Sequence, residues 1–374
     1  MAKRVVLHIG TMKSGTSFVQ SALMENPGPL EAAGARYLGE TFGRQAKAVR
    51  DVYQHPRRTT RHRRWHALAD EARAFPGDAA LISMEFLSFA QPKQLGVLLD
   101  PFRGMEVEVV LTVRDQFRAI PAQWQTFTRN YGTDDWGTYL RRIEMTGRRA
   151  RGSRAAMTFH RAQDVVSILE RWSSRGDVRR VTVVTLPPPE APREELWHRF
   201  CRATGVAAEG AVLGGLRDNI SLGYASCDLL RRVNVYLEDV RPRFYRKAMR
   251  PLAREVLAPL REQESRPELD REAAELARRR NQEIRDAVRR HGHDLVGSLD
   301  DLPTPDQIEA PEQVLPPPGD QVLRAAEGVR TYVASLLESP EPGSRDDLQG
   351  GVATLDEEVA EVARLLRKAH RWSL

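Results

Sequence analysis

The stretch "RVVLHIGTMKSGTSFVQSALMENPGP" near the start of the chain limits the choice of fold more than any other. An apolar run from Val5 to Ile9 meets Gly10 and Gly15, with Lys13 between them. The chain then takes up a helical period from Thr16 to Met24, in which Phe18, Val19, Ala22 and Leu23 share a face, and stops at Asn26-Pro27-Gly28-Pro29. An apolar strand that feeds a Gly-rich turn and then a helix cannot bury itself alone. It needs further strands of the same kind beside it. Three more β-branched apolar runs supply them: Ala79 to Ser83, Val107 to Val113 ("VEVVLTV") and Arg180 to Leu186 ("RVTVVTL"). Continuous rather than alternating apolar runs suit strands covered on both faces. Strands that alternate with helical segments predict an α/β fold, an open parallel β-sheet flanked by helices and joined by right-handed crossovers. Sites in such folds gather at the carboxyl ends of the strands.

The rest of the chain sets the organisation. With 374 residues, 41% hydrophobic and 29% charged, one substantial core plus an appended segment is expected. Residues 44–73 are rich in Arg and His and read as a solvated helix and loop, with a lip for an anionic acceptor as the other possibility. From Arg241 to His291 the pattern is long, charged and helical, without a repeat. At Pro303 the composition changes to "LPTPDQIEAPEQVLPPPGD", a proline-rich linker. Two amphipathic helices are predicted beyond it, Gln321 to Leu337 and Leu355 to Lys368, split by "SPEPGSRDDLQGG". The expected division is 1–302 for the main domain, 303–320 for the linker and 321–374 for a mainly helical C-terminal extension. That extension packs back on the main domain or pairs two copies of the chain as a homodimer.

Charge and cysteine usage exclude more than they specify. The net charge of +6 rests on arginine, since only Lys3, Lys13, Lys47, Lys93, Lys247 and Lys368 are lysines among 57 basic residues. Diffuse charge of this kind does not by itself call for nucleic acid, and none is expected. Cys201 and Cys227 form neither a disulfide framework nor a zinc spacing. The first apolar run is too short for a signal peptide or a membrane span. A soluble, cytoplasmic protein is expected, without a metal.

The chemistry concentrates at "GTMKSGTS". A Gly-rich turn between a strand and a helix exposes backbone N–H groups, and the helix N-terminus adds partial positive charge, so the turn suits an anion. A nucleotide P-loop places its lysine directly after the second glycine. Here Thr16 has that place and Lys13 lies three residues earlier. The loop therefore suits a short anionic group held at the turn rather than a triphosphate with magnesium.

The loop resembles the 5′-phosphosulfate-binding loop of the PAPS-dependent sulfotransferases, K-[ST]-G-[ST]-[ST] after a first strand, with Lys13, Ser14, Gly15, Thr16 and Ser17 in the matching positions. "VVLTVRDQFRAIPAQW" resembles the family's 3′-phosphate motif, with Arg114 in the arginine place and Ala122 where the family has serine. "RWSSRGDVRRVTVVTLPPPEAPREELWHRFCRATGV" resembles its later strand and helix, and "NQEIRDAVRRHGHDLVGSLDDL" the closing segment of bacterial members. The likeness spans about residues 4–302, and is specific at the loop and around Arg114. It implies a P-loop-NTPase-like fold and transfer of a sulfuryl group from PAPS to a hydroxyl or amine without a required metal. By the same likeness Lys13 neutralises the bridging oxygen as the sulfur–oxygen bond breaks, Ser14, Gly15, Thr16 and Ser17 hold the 5′-phosphate, and Arg114 offers a planar fork to the 3′-phosphate. Where one branch of the family carries a catalytic histidine, this chain has "ALISMEFLS" and Glu85. Glutamate does this work in carbohydrate-modifying branches, so Glu85 is the candidate general base and a carbohydrate or other small-molecule acceptor is preferred. The other possibility for Glu85 is a structural ion pair, and Ser83 would orient it or cap the strand.

Other residues carry less. His8 lies on a buried strand and reads as a core histidine. His55, His62 and His66 lack metal spacing. Trp124, Phe127 and Tyr131 follow a helical period and read as core, with stacking on adenine or acceptor as the alternative. Arg217, Asn219 and Ser221 offer a late cofactor or acceptor contact. Two other functions stay open: a P-loop kinase for a small molecule or nucleoside, with Glu85 and Asp115 imitating a magnesium-holding strand end, and a binding module whose basic segment Arg44 to Arg73 meets nucleic acid or an anionic surface.

Overall fold

A computed structural model describes residues 2–54, 62–207, 209–216, 221–337 and 354–372. In chain order the elements are β1 Arg4–His8, α1 Thr16–Glu25, α2 Pro27–Ala32, β2 Ala35–Tyr37, α3 Phe42–Gln54, α4 Arg63–Ala74, β3 Ala79–Ser83, α5 Pro92–Leu99 and β4 Glu106–Val113. There follow α6 Gln116–Thr128, α7 Trp136–Ile143, α8 Gly147–Arg151, α9 Arg154–Gln163, α10 Val165–Ser173, β5 Val178–Thr185, α11 Glu195–Thr204 and α12 Tyr224–Tyr236. The remainder comprises α13 Pro242–Leu252, α14 Ala258–Leu260, α15 Arg271–His291, β6 Asp294–Val296, α16 Gly319–Leu336 and α17 Leu355–Trp372.

The strands form one open sheet in the order β2-β3-β1-β4-β5-β6, and each neighbouring pair is parallel. β1 is therefore central, with β3 on one side and β4 on the other. Its register puts Arg4 beside Ala79 and Glu106, and His8 beside Ser83 and Val110. At the other end of the strand Arg4 bonds Glu108 and the Thr204 carbonyl oxygen, at 3.0 and 2.6 Å. Continuous apolar runs are explained by burial on both faces. Val5, Leu7, Ala80, Ile82, Val109 and Leu111 enter one core with α3, α4, α5, α10 and α15. Val6, Ala79, Leu81, Val110 and Val184 enter a second core with α1 and α11. The four expected strands are all present. β2 and β6, three residues each, were not foreseen, because so short a run carries no legible period.

Two expectations are corrected. The Arg- and His-rich segment is more than a solvated helix and loop: Val49 and Val52 of α3 and Trp65, Leu68 and Ala72 of α4 are buried, while Arg50, Arg63 and Arg64 stay outside. The helical pattern of Arg241 to His291 is interrupted. It passes from α13 through a π turn at Ala253–Leu257 and α14 into the non-helical residues 264–270, where Pro267 follows Pro251 and Pro259. Proline withholds the N–H that an uninterrupted helix requires.

The chain divides into two compact units. The first, Met1–Ala119, Phe159–Asn219 and Leu276–Gln307, holds the sheet and both cores just described. The second, Ile120–Thr158, Ile220–Glu275 and Ile308–Leu374, is helical. In it Trp124 packs against Trp136 and Tyr224, and Tyr131 stacks on Tyr245 with ring centres 3.7 Å apart. The buried faces of α16 (Val322, Ala325, Val329, Val333) and α17 (Val359, Val362, Leu365, Leu366) belong to the same unit, where both helices contact α12. The segment "SPEPGSRDDLQGG" lies outside the described residues. Among the described residues no helix is long and apolar enough to cross a membrane.

Candidate functional site

The loop between β1 and α1 is shaped by three residues with positive φ. Gly10 (φ 22°) has no space for a side chain, since a Cβ there would stand 2.3 Å from Thr16 Cγ2. Gly15 (φ 80°) is equally closed, at 2.3 Å from Leu196 Cδ2. Between them Lys13 adopts φ 67°, a left-handed conformation that costs an L-residue about 1–2 kcal/mol.

Side chains from elsewhere hold the turn by its carbonyl oxygens. Gln163 Nε2 donates to Met12 O at 2.7 Å and the Arg114 guanidinium donates to Lys13 O at 3.3 Å. A trans peptide sets its N–H opposite its C=O, so tying down these two oxygens turns the N–H groups of Lys13 and Ser14 the other way. Helix α1 follows with Gly15 as its N-cap, without a side-chain cap and without an acidic residue in its first turn. Its positive end thus remains available to an anion.

Beneath the loop runs a buried chain of hydrogen bonds across three strands. Ser83 Oγ meets His8 Nδ1 at 2.7 Å, His8 Nε2 meets Thr112 Oγ1 at 3.1 Å, and Thr112 Oγ1 meets Ser14 Oγ at 2.7 Å. Ser14 Oγ also donates to Thr11 O at 2.7 Å. Burial holds the His8 imidazole neutral, with its pKa lowered to about 3. His8 is thus a satisfied core histidine. Ser14 departs from its expected role, because its hydroxyl is turned inward and spent on Thr11 and Thr112. Thr16 is also buried, whereas Ser17 and Lys13 are half-buried at the rim.

Glu85 follows β3 and opens a short 3₁₀ turn, Glu85–Phe89. Its carboxylate is half-buried and accepts from Gln20 Nε2 at 2.9 Å, while its carbonyl oxygen accepts from Ser88 Oγ at 2.7 Å. Ser83 does not orient Glu85, because its hydroxyl belongs to His8. Nearby, the Tyr37 phenol is pushed well above its ordinary range, by burial first and by the negative charge of Glu85 second.

Arg114 emerges where β4 ends, and the next residue fixes the turn that follows. Asp115 Oδ1 accepts the Arg118 N–H at 3.1 Å, its carboxylate pairs with the Arg118 side chain, and its carbonyl oxygen accepts from Ala119 at 2.9 Å. Asn281 Oδ1 on α15 accepts the Gln116 N–H at 2.9 Å. Lys13, Ser14, Gly15, Thr16, Ser17, Glu85 and Arg114 therefore all belong to the first unit, at the carboxyl ends of β1, β3 and β4.

Other predicted residues fall elsewhere. Ala122, Trp124, Phe127, Tyr131 and Ser221 belong to the second unit, where Ser221 Oγ donates to Gln125 Oε1 at 3.3 Å and Tyr131 donates to Val240 O at 2.6 Å. Arg217, Asn219 and His55 lie outside the described residues. His62 is buried and His66 exposed, and among the described residues no group of three or more His, Cys, Asp or Glu is placed to hold a metal ion. Sequence reasoning missed Gln20, Thr112, Gln163 and Asn281. Only Gln20 carried a local signal, a glutamine set among the apolar residues of α1. Comparison with protein-family models, with curated proteins and with solved structures gives no match to this chain.

Proposed function

We propose that this chain is a sulfotransferase that moves a sulfuryl group from PAPS to the hydroxyl of a carbohydrate or other small-molecule acceptor, on a P-loop-like fold. The observation that carries this reading is the loop after β1, with its carbonyl oxygens held back by Gln163 and Arg114, Lys13 at its crest and the uncapped start of α1 behind it. The donor set fits a phosphosulfate. Backbone N–H groups and the hydroxyls of Thr16 and Ser17 would hold the 5′-phosphate, Ser14 would contribute through its backbone, and Arg114 would serve the 3′-phosphate. Ala122 adds no polar side chain to that group.

The chemistry needs no covalent enzyme intermediate. The acceptor oxygen forms a bond to sulfur while the bond from sulfur to the bridging oxygen breaks, and the electron pair leaves with adenosine 3′,5′-bisphosphate. Lys13 neutralises the charge that builds on that oxygen. Glu85 takes the proton of the acceptor hydroxyl. Positioning and charge stabilisation are the protein's share of such a transfer.

The two competing functions draw less support. Of the two strand-end acids a kinase would use for magnesium, Asp115 caps α6 and pairs with Arg118, and Glu85 accepts from Gln20 Nε2. An anionic-surface module would draw on the arginines between Arg44 and Arg73: among the described ones Arg44 pairs with Glu71, Arg64 with Asp51 and Arg73 with Asp70, while Arg50 and Arg63 are exposed.

The test is calorimetric titration with adenosine 3′,5′-bisphosphate, followed by transfer from ³⁵S-labelled PAPS to a panel of hydroxylated acceptors read by mass spectrometry. The bisphosphate should bind without magnesium. Lys13→Ala should lose transfer by about 100-fold or more, as expected for a group that stabilises charge only in the transition state. Lack of bisphosphate binding, or a preference for magnesium-ATP, would overturn the proposal.

A further inference from the structure

The carboxylate of Glu85 is held in a definite way. Gln20 on α1 is 3% exposed, and its Nε2 meets two oxygens, Ser83 O at 3.1 Å and Glu85 Oε2 at 2.9 Å. Both neighbours are acceptors, so the amide nitrogen must face them and both of its N–H groups are committed. The strand end that carries Glu85 is gripped from the other side as well. Gln45 on α3, fully buried, accepts the Ser83 N–H at 3.0 Å and donates to Leu38 O at 2.6 Å. Two buried glutamines thus fix both backbone polar groups of Ser83, and one of them reaches on to the side chain of Glu85.

We infer that Gln20 is a positioning residue for Glu85: its amide pins Oε2 and so presents Oε1 as the atom that receives the acceptor's proton. This rests on the sulfotransferase reading with Glu85 as base. The terminal torsion of a glutamate has a broad, shallow profile, so a half-buried carboxylate without a donor would swing between orientations. Gln20 is sized to stop it, because its amide spans from the strand's backbone to the carboxylate.

The experiment compares the full chain with Gln20→Met, Glu85→Gln and the double variant. Turnover is read as ³⁵S-sulfate released from labelled PAPS with water as acceptor, beside bisphosphate affinity and melting temperature. Gln20→Met should lower turnover about 10- to 100-fold, the range that misplacing a reacting group produces, with bisphosphate affinity unchanged. The double variant should be no slower than Glu85→Gln alone, because Gln20 acts through Glu85. Wild-type turnover in Gln20→Met, or losses that multiply in the double variant, would overturn the inference. A crystal structure of Gln20→Met gives a readout that needs no turnover. A displaced or multiply oriented Glu85 carboxylate supports the inference, and an unchanged single orientation sinks it. Gln20→Asn, one methylene short of both oxygens, should give the same results if Gln20→Met does not fold. A wild-type chain that fails to bind the bisphosphate overturns the sulfotransferase reading instead.

Discussion

His8 shows how a single residue ties stability to the site. It is buried between Ser83 and Thr112 beneath the loop, and its pKa falls from 6.5 to about 3. Below pH 6.5 the unfolded chain takes up a proton that the folded chain refuses, so this residue's contribution is intact above that value and is lost as the pH falls toward 3. The slope is about 1.4 kcal/mol per pH unit, which amounts to about 2 kcal/mol between pH 6.5 and 5. Unfolding free energies from urea titrations at pH 7 and pH 5 should draw closer together in His8→Gln by that amount. A variant that keeps the full acid sensitivity would place its origin elsewhere. Ser14 makes a related point, because its motif position was legible while the direction of its hydroxyl was not. That direction depends on Thr112, 98 residues further on.

At the scale of elements, the start of α6 decides where Arg114 stands. Asp115 is 3% exposed, accepts the Arg118 N–H and pairs with the Arg118 side chain. Replacing an N-cap acid by alanine costs about 0.5–2 kcal/mol, and here the guanidinium also loses its carboxylate, keeping the Pro187 carbonyl oxygen. Asp115→Ala should therefore lower the denaturation free energy by about 2 kcal/mol and weaken bisphosphate binding, while Asp115→Asn keeps most of the cap. A change below about 0.5 kcal/mol in Asp115→Ala would argue that the cap is dispensable. Helix α1 and the four longer strands could be read from the chain because their periodicity is local. The tie from Gln163 to Met12 could not, since its two ends are 151 residues apart. Nor could that from Asn281 to Gln116, with 165 between them. The glycine-rich turn was thus visible in the sequence, and the side chains that hold its carbonyl oxygens were not.

Across the whole molecule the two units invite separate perturbation. Val362 of α17 is 1% exposed in the second unit, whereas Lys13, Ser14, Gly15, Thr16, Ser17, Glu85 and Arg114 belong to the first. Val362→Asp places an unpaired charge in that core and should lower the melting temperature by several degrees. Bisphosphate affinity at 20 °C should stay within about twofold of wild type, the scatter expected where two perturbations are energetically independent. A large loss of affinity would mean that the site depends on the second unit's core. The central place of β1 has a further consequence, for synthesis. Arg4 finds its partners 104 and 200 residues later, and β6 completes the sheet only at Val296. The strand that carries the loop therefore leaves the ribosome long before either flank exists to cover it. Val5, Val6 and Leu7 spend that interval as an uncovered apolar tract, the kind of surface that makes an incomplete chain prone to aggregate.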